Sequence, residues 1–373
     1  MEDHQEMIEI RVEGGRAEAE ADAAPEKEKN EVTVIRREFK QFDIIPTVDD
    51  DENNSNTNNS SINDHHYYAS SSSSSSNQHQ IRNSKKIMKE WKILEQNLPD
   101  SIYVRVYEAR IDLLRAVIIG AAGTPYHDGL FFFDFQFPSD YPNKPPKVYY
   151  HSFGYRLNPN LYDDGKVCLS LLNTWSGTKN EKWNPSESSV LQILLSIQAL
   201  VLNSKPYFNE PGYGNITTNL DYWNRVSLAY NKDVFVLSCR TMLALLNRPP
   251  KHFEEFVGQY FRDRAETILI ACKAYIGGRV RVGDSLENST TTTTTTTTTV
   301  ASKTKFQNSM GIMYSKLVKA FIKNGSSLEN YVGENMAKNQ VESHLHETKA
   351  GRIVCWVCIF LLVFSVGILI FYH

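Results

Sequence analysis

YRLNPNLYDDGKVCLSLLNTWSGTKNEKW, residues Tyr155 to Trp183, sets Asn158-Pro159-Asn160 ahead of Cys168, which follows Asn160 by eight residues, with an Asp164-Gly165 turn between them. Pro159 fixes one backbone dihedral and Gly165 permits a tight reversal, so this spacing holds a carboxamide and a thiol near each other on an irregular loop. A thiol beside an amide donor suits acyl transfer: the sulfur takes the acyl group, and the amide N–H steadies the oxyanion. No histidine base accompanies Cys168 in this stretch. An incoming thioester tolerates that, because exchange between thiols of similar pKa needs little activation.

Upstream of the loop, four apolar runs separated by turns read as strands: Ile102–Tyr107, Leu113–Ile119, Leu130–Phe137 and Val148–Tyr150. They are rich in β-branched and aromatic residues and lack ten-residue crossovers, which predicts a four-stranded antiparallel meander rather than a parallel sheet. Ahead of them, Ser84 caps a helix over Lys85–Leu94, with Ile87, Trp91 and Leu94 at helical spacing and Pro99-Asp100 ending the segment. Downstream, Ser186 is the expected cap of a helix over Ser188–Leu202, and two more helices follow near Lys232–Leu246 and Lys251–Tyr275. The fold class is therefore α+β: a sheet, an irregular loop and flanking helices.

The run NPN, then Cys168, Leu169, Leu171-Leu172 and Trp183, resembles the active-site segment of ubiquitin-conjugating enzymes, whose usual motif is His-Pro-Asn with the cysteine eight positions on. FDFQFPSDYPNKPPKV (Phe133 to Val148) and VLQILLSIQALVLNSKPYFNEPG (Val190 to Gly212) continue the likeness. NPNLY, CLSLLNTWSG, NEKW and PYFNEPGY are similar to a plant subgroup that includes the phosphate-homeostasis conjugating enzyme, itself related to the large hybrid conjugating enzyme/ligases. Three separated motifs in order, across roughly Lys85 to Gly277, make the resemblance specific.

The resemblance implies a conjugating-enzyme core in which Cys168 carries ubiquitin as a glycyl thioester and Asn160 stabilises the oxyanion. Asn158, Pro159 and Gly165 shape the loop, and Leu195 and Ser196 meet bound ubiquitin. A ligase docks on Tyr141, Pro142 and Asn143 with Pro185 and Ser186, although Asn143 stands where many members expose a phenylalanine. The acid that helps deprotonate the acceptor lysine aligns near Phe208 or Asn209, and Glu210 is the nearest carboxylate. Ser176–Lys182 is an insertion, and Trp175 and Trp183 are expected to pack as lids over the sheet, with ligand stacking as the alternative. The implied partners are ubiquitin, the activating enzyme and possible ligases, with no cofactor and no metal. Two other functions fit the same residues: a catalytically silent ubiquitin- or ligase-binding scaffold at a membrane, and conjugation of another ubiquitin-like modifier.

The rest of the 373 residues bounds the setting. A formal net charge of −3 offers no basic field for nucleic acid, and five cysteines with no disulfide or zinc spacing point to a reducing compartment. Residues 1–82 are acidic, then Asn/Ser-rich, and are expected to be disordered. Within them the island Val32–Ile45 admits a strand, a docking peptide or a transiently ordered patch. The core is assigned to residues 83–282. A Thr-rich linker and helical segment follow at 283–352, in which the helical spacing of Ser309–Lys323 fits docking back on the core or lying on a membrane surface. The uncharged run Ile353–Tyr372 has the length of a bilayer-crossing helix. It is expected to be a single-pass tail anchor, with the catalytic domain cytosolic at the endoplasmic reticulum or another endomembrane.

Overall fold

Side chains of a β-strand alternate between faces, so a strand buried along its whole length needs a packed layer on each side. Strand β4 (Leu130–Gln136, LFFFDFQ) is such a strand in the computed structural model, which describes residues 39–47, 62–69, 76–210, 219–284, 304–328 and 331. Phe131, Phe133 and Phe135 enter one core with Leu94, Ile193, Leu194 and Ile197. Leu130 and Phe132 enter another with Phe235, Phe253, Phe261 and Phe321. Each such side chain contributes roughly 1.5–3 kcal/mol by leaving water.

The sheet runs β1 (Phe42–Ile45), β2 (Ile102–Tyr107), β3 (Leu113–Ile119), β4 and β5 (Lys147–Tyr150), in that order. β2 to β5 are antiparallel neighbours, whereas β1 pairs with β2 in parallel. Helices α1 (Ser76–Asn97) and α2 (Val190–Ser196) cover one face. Helices α3 (Leu220–Asn247), α4 (Glu254–Ile276) and α5 (Lys305–Lys323) serve the other, and α5 buries Met313, Leu317 and Phe321 there. Double-sided cover is why the strands read as unbroken apolar runs instead of alternating ones.

One polar row crosses the second face in register: Asp43, Arg105, Arg115, Asp134 and Tyr149. Arg115 grips Asp134 through Nε (2.7 Å) and Nη2 (3.0 Å), and its Nη1 reaches the Asp64 carboxylate at 2.9 Å. The His66 backbone N–H donates to Asp134 Oδ2 at 2.8 Å. Residues 62–69, from the region expected to be disordered, are thus held on the sheet by charge pairing, together with Ile62, buried against Tyr107 and Leu113.

The structure corrects two expectations. The sheet has five strands, not four: β1 is short and half-exposed, and it joins as a parallel neighbour of a strand far along the chain. No local pattern announces such a partner. The second correction concerns the C-terminal transmembrane helix and the tail-anchored membrane location built on it. Among the described residues no helix is long and apolar enough to cross a membrane. The longest, α3, has 28 residues but carries Asp221, Arg225, Lys232, Asp233 and Arg240. Ile353–Tyr372, Thr290–Thr299 and the Val32–Glu38 part of the island lie outside the described residues.

Helix ends also moved. Ser189, not Ser186, caps α2: its side chain accepts from Gln192 N while the Gln192 side chain reaches back. The helix then widens into a π-helical stretch at Ile197–Val201. α3 begins at Leu220, three turns before the expected start, and α5 begins at Lys305 behind a Thr304–Gln307 capping box.

Candidate active site

Gly165 sits at φ +89°, and a Cβ there would lie 2.0 Å from the Tyr149 ring, so only glycine closes this turn. The reversal is pinned by Tyr162 N donating to Lys166 O (3.0 Å) and Lys166 N to the Asp164 carboxylate (3.0 Å). It returns the chain beside its own start. Cys168 N donates to Asn160 O, and Asn160 Nδ2 to Cys168 O, both at 2.9 Å. The eight-residue spacing therefore brings amide and thiol residues together, as the sequence suggests. One Asn160 N–H is spent on the Cys168 backbone, and its Oδ1 is buried without a partner among the described residues.

Asn158 is fully buried and satisfied at every site. Its Nδ2 donates to Tyr126 Oη (2.8 Å) and Val201 O (2.7 Å), while its Oδ1 accepts from Asn160 N (2.8 Å) and Asn209 Nδ2 (3.3 Å). It ties the loop to the β3–β4 turn, to the end of α2 and to the Pro206–Asn209 turn. Thr174 braces the far side of Cys168, donating to Val167 O at 2.7 Å and accepting from Leu169 N at 3.0 Å.

Burial pushes the Cys168 thiol above its ordinary pKa, opposed by Lys166, by a hydrogen bond from Tyr162 and by Arg156. The Arg156 guanidinium lies 4.3 Å over the Tyr162 ring. Cys168 and Asn160 open onto a groove of about 930 Å³ walled by Leu195, Ser196, Trp175 and Asn209. Leu195 is 39% exposed although apolar, so it is presented to the groove rather than packed away.

The other expected residues divide. Trp183 is a structural lid: it is buried, and its Nε1 donates to Pro142 O at 2.6 Å. Trp175 instead forms groove wall. The same Trp183 bond draws the Pro142 and Pro185 loops together, leaving Asn143, Pro185 and Ser186 exposed. Tyr141 is buried, and its hydroxyl donates to Glu90 Oε1 at 2.8 Å, so it supports that surface from beneath. Glu90 Oε2 in turn accepts from Val190 N at 2.9 Å, bracing the first turn of α2. Glu210 does not line the groove, whereas Asn209 does.

One residue escaped the sequence reading: Tyr162, between the motif asparagine and the cysteine, where its position alone was a signal. Asn209, marked in the sequence only as an alignment position that lacks an acid, reaches Asn158 across fifty-one positions.

This fold and this loop agree with known proteins. Residues 86–233 match the family model described as Ubiquitin-conjugating enzyme. Over those residues, less than half of the chain, the sequence is similar to ubiquitin-conjugating enzymes. "Probable ubiquitin-conjugating enzyme E2 23" of Arabidopsis thaliana is 61% identical over 194 residues, 52% of this chain and 18% of that protein. "Probable ubiquitin-conjugating enzyme E2 24" of the same plant is 50% identical over 261 residues, 69% of this chain and 28% of that protein. The human "Dual E2 ubiquitin-conjugating enzyme/E3 ubiquitin-protein ligase BIRC6" is 40% identical over 201 residues, 52% of this chain and 4% of that protein. The chain thus spans less than a third of the length of each of these three relatives.

Proposed function

We propose that this chain is a ubiquitin-conjugating transferase that carries ubiquitin's C-terminus as a thioester on Cys168 and passes it to a lysine. The observation that carries this reading is the seating of Cys168 beside Asn160 at the head of an open groove. In the loading step the Cys168 sulfur attacks the thioester held by the activating enzyme. A new C–S bond forms, and the activating enzyme's cysteine leaves with the proton. Because burial keeps the Cys168 thiol from ionising readily, the step relies on exchange between like thiols rather than on a strongly activated nucleophile.

In the transfer step the lysine amine attacks the same carbonyl, the C–N bond forms, and the Cys168 thiol is released. The second Asn160 N–H is the donor available to the oxyanion, held in place by the bond its partner hydrogen makes to Cys168 O. Leu195 and Ser196, on the groove wall, are the proposed ubiquitin contacts. Exposed Asn143, Pro185 and Ser186, drawn together by Trp183, are the proposed ligase surface. Glu210 lies off the groove, and Asn209 lines it.

The test is a loading reaction with ATP and a panel of modifiers, each paired with its own activating enzyme, read by intact-mass spectrometry. A reducible adduct with ubiquitin alone supports the proposal. An adduct only with another modifier, or none with any, contradicts it.

A further inference from the structure

Beyond the Cys168 groove, a second cavity of about 460 Å³ lies between α3 and α5, and the two share no lining residue. Its floor is apolar, formed by Val236 on α3 and Met313 on α5, both buried. Its rim carries Arg240, Lys316 and Ile312, the last 60% exposed. The Arg240 guanidinium stands 5.9 Å from the Tyr155 ring, which closes one end.

The charge on this rim has one sign. No carboxylate lines the cavity. α5 bears four lysines and no acid, and the acids of α3, Asp221 and Asp233, lie N-terminal to its cavity-lining residues Val236–Asn247. Neither Arg240 nor Lys316 has an ion-pair partner among the described residues. Two solvated cations beside an apolar slot are complementary to an anion attached to an apolar group. The slot has the volume of a small ligand pocket, a few hundred Å³, which accommodates one or two bulky side chains. A second copy of this chain would bring the same cations face to face, and like charges in an interface cost affinity. A bilayer is flat and would leave the recessed floor unfilled.

We propose that the α3–α5 groove binds an acidic peptide segment of another protein, in which a bulky apolar residue flanked by carboxylates enters the slot. The apolar side chain sits on Val236 and Met313, and the flanking carboxylates meet Arg240 and Lys316. Tyr155 also heads the loop that carries Cys168, so a segment held here is tethered to the domain that bears that thiol. That consequence rests on the proposed function; the binding itself does not.

Fluorescence anisotropy on the full chain tests it, with a fluorescein-labelled peptide of Glu and Asp around a central Leu-Phe pair. Saturable binding is expected, weakened at least about tenfold by Arg240→Glu with Lys316→Glu, a change near 1.4 kcal/mol. Ile312→Ser should weaken it several-fold. Lys323→Glu, on α5 outside the groove, should leave it unchanged. All four positions are exposed, and thermal melts within a few degrees of the parent confirm folding. A peptide with Gln and Asn in place of the acids should fail to bind. Absence of saturable binding, or equal loss in Lys323→Glu, overturns the proposal. So does sedimentation with phosphatidylserine vesicles, or self-association, as the only behaviour that the Arg240 and Lys316 substitutions abolish.

Discussion

Asn158 uses two donor hydrogens and a carbonyl that accepts twice, and all four bonds are made in a site with no water access. A histidine there has two ring nitrogens and satisfies at most two of those partners. Asn158→Ala leaves the buried Asn160 N–H without its acceptor, and it should lower unfolding free energy by roughly 1–3 kcal/mol. Asn158→His should fall between. Urea denaturation reads this directly, and an unchanged midpoint for the alanine variant would refute the bracing role.

Cys168 is poised differently: burial raises its pKa and the Lys166 cation lowers it. Lys166→Gln removes a charge that favours the thiolate, so the pH profile of iodoacetamide alkylation at Cys168 should move upward. A downward or absent shift would show that Lys166 does not act on the sulfur. The nearness of Asn160 to Cys168 was legible because the glycine turn leaves few ways to connect them. That one Asn160 N–H is consumed by Cys168's own carbonyl was not, since hydrogen-bond direction is set by the folded loop.

At the scale of elements, the short β1 strand explains the Phe-Lys-Gln-Phe-Asp run at Phe39–Asp43. Phe39 packs 4.9 Å from Phe256 and 5.7 Å from Phe253, with the Arg105 guanidinium 3.9 Å above it. Gln41 Nε2 donates to Pro99 O at 2.8 Å, and Val104 N donates to Gln41 O at 2.7 Å. The run is a clasp joining the sheet edge to α4. Phe39→Ala should cost about 2 kcal/mol from lost burial and the cation contact. It should also speed amide exchange at Val104 before the rest of β2, and hydrogen exchange unchanged at Val104 would contradict the clasp.

Sequence alone left this element open because four residues without alternation or caps carry no period. The meander strands were legible from their β-branched and aromatic runs, and α5 from its apolar stripe. The start of α3 was missed because Tyr222, Trp223 and Tyr230 look like loop aromatics until Tyr207 is stacked among them.

For the whole molecule, the organising feature is a sheet with a core on each face. The face toward α1 and α2 supports the Asn158–Cys168 loop, and residues 86–233 carry the family match. The other face is filled by α4 and α5, whose packing follows from heptad-like stripes such as Met310, Met313, Leu317 and Phe321. The α+β arrangement was therefore readable, while the fifth strand and the docking of residues 62–69 depended on partners distant in sequence. The central claim is that Cys168 is the acyl carrier. Its most direct test incubates the full chain and its Cys168→Ser and Cys168→Ala forms with activating enzyme, ATP and ubiquitin, then compares gels with and without reductant. The account predicts a reductant-labile adduct on the parent, a reductant-resistant oxyester on the serine form and none on the alanine form. A reducible adduct that persists in Cys168→Ala, or no adduct on the parent, would contradict it.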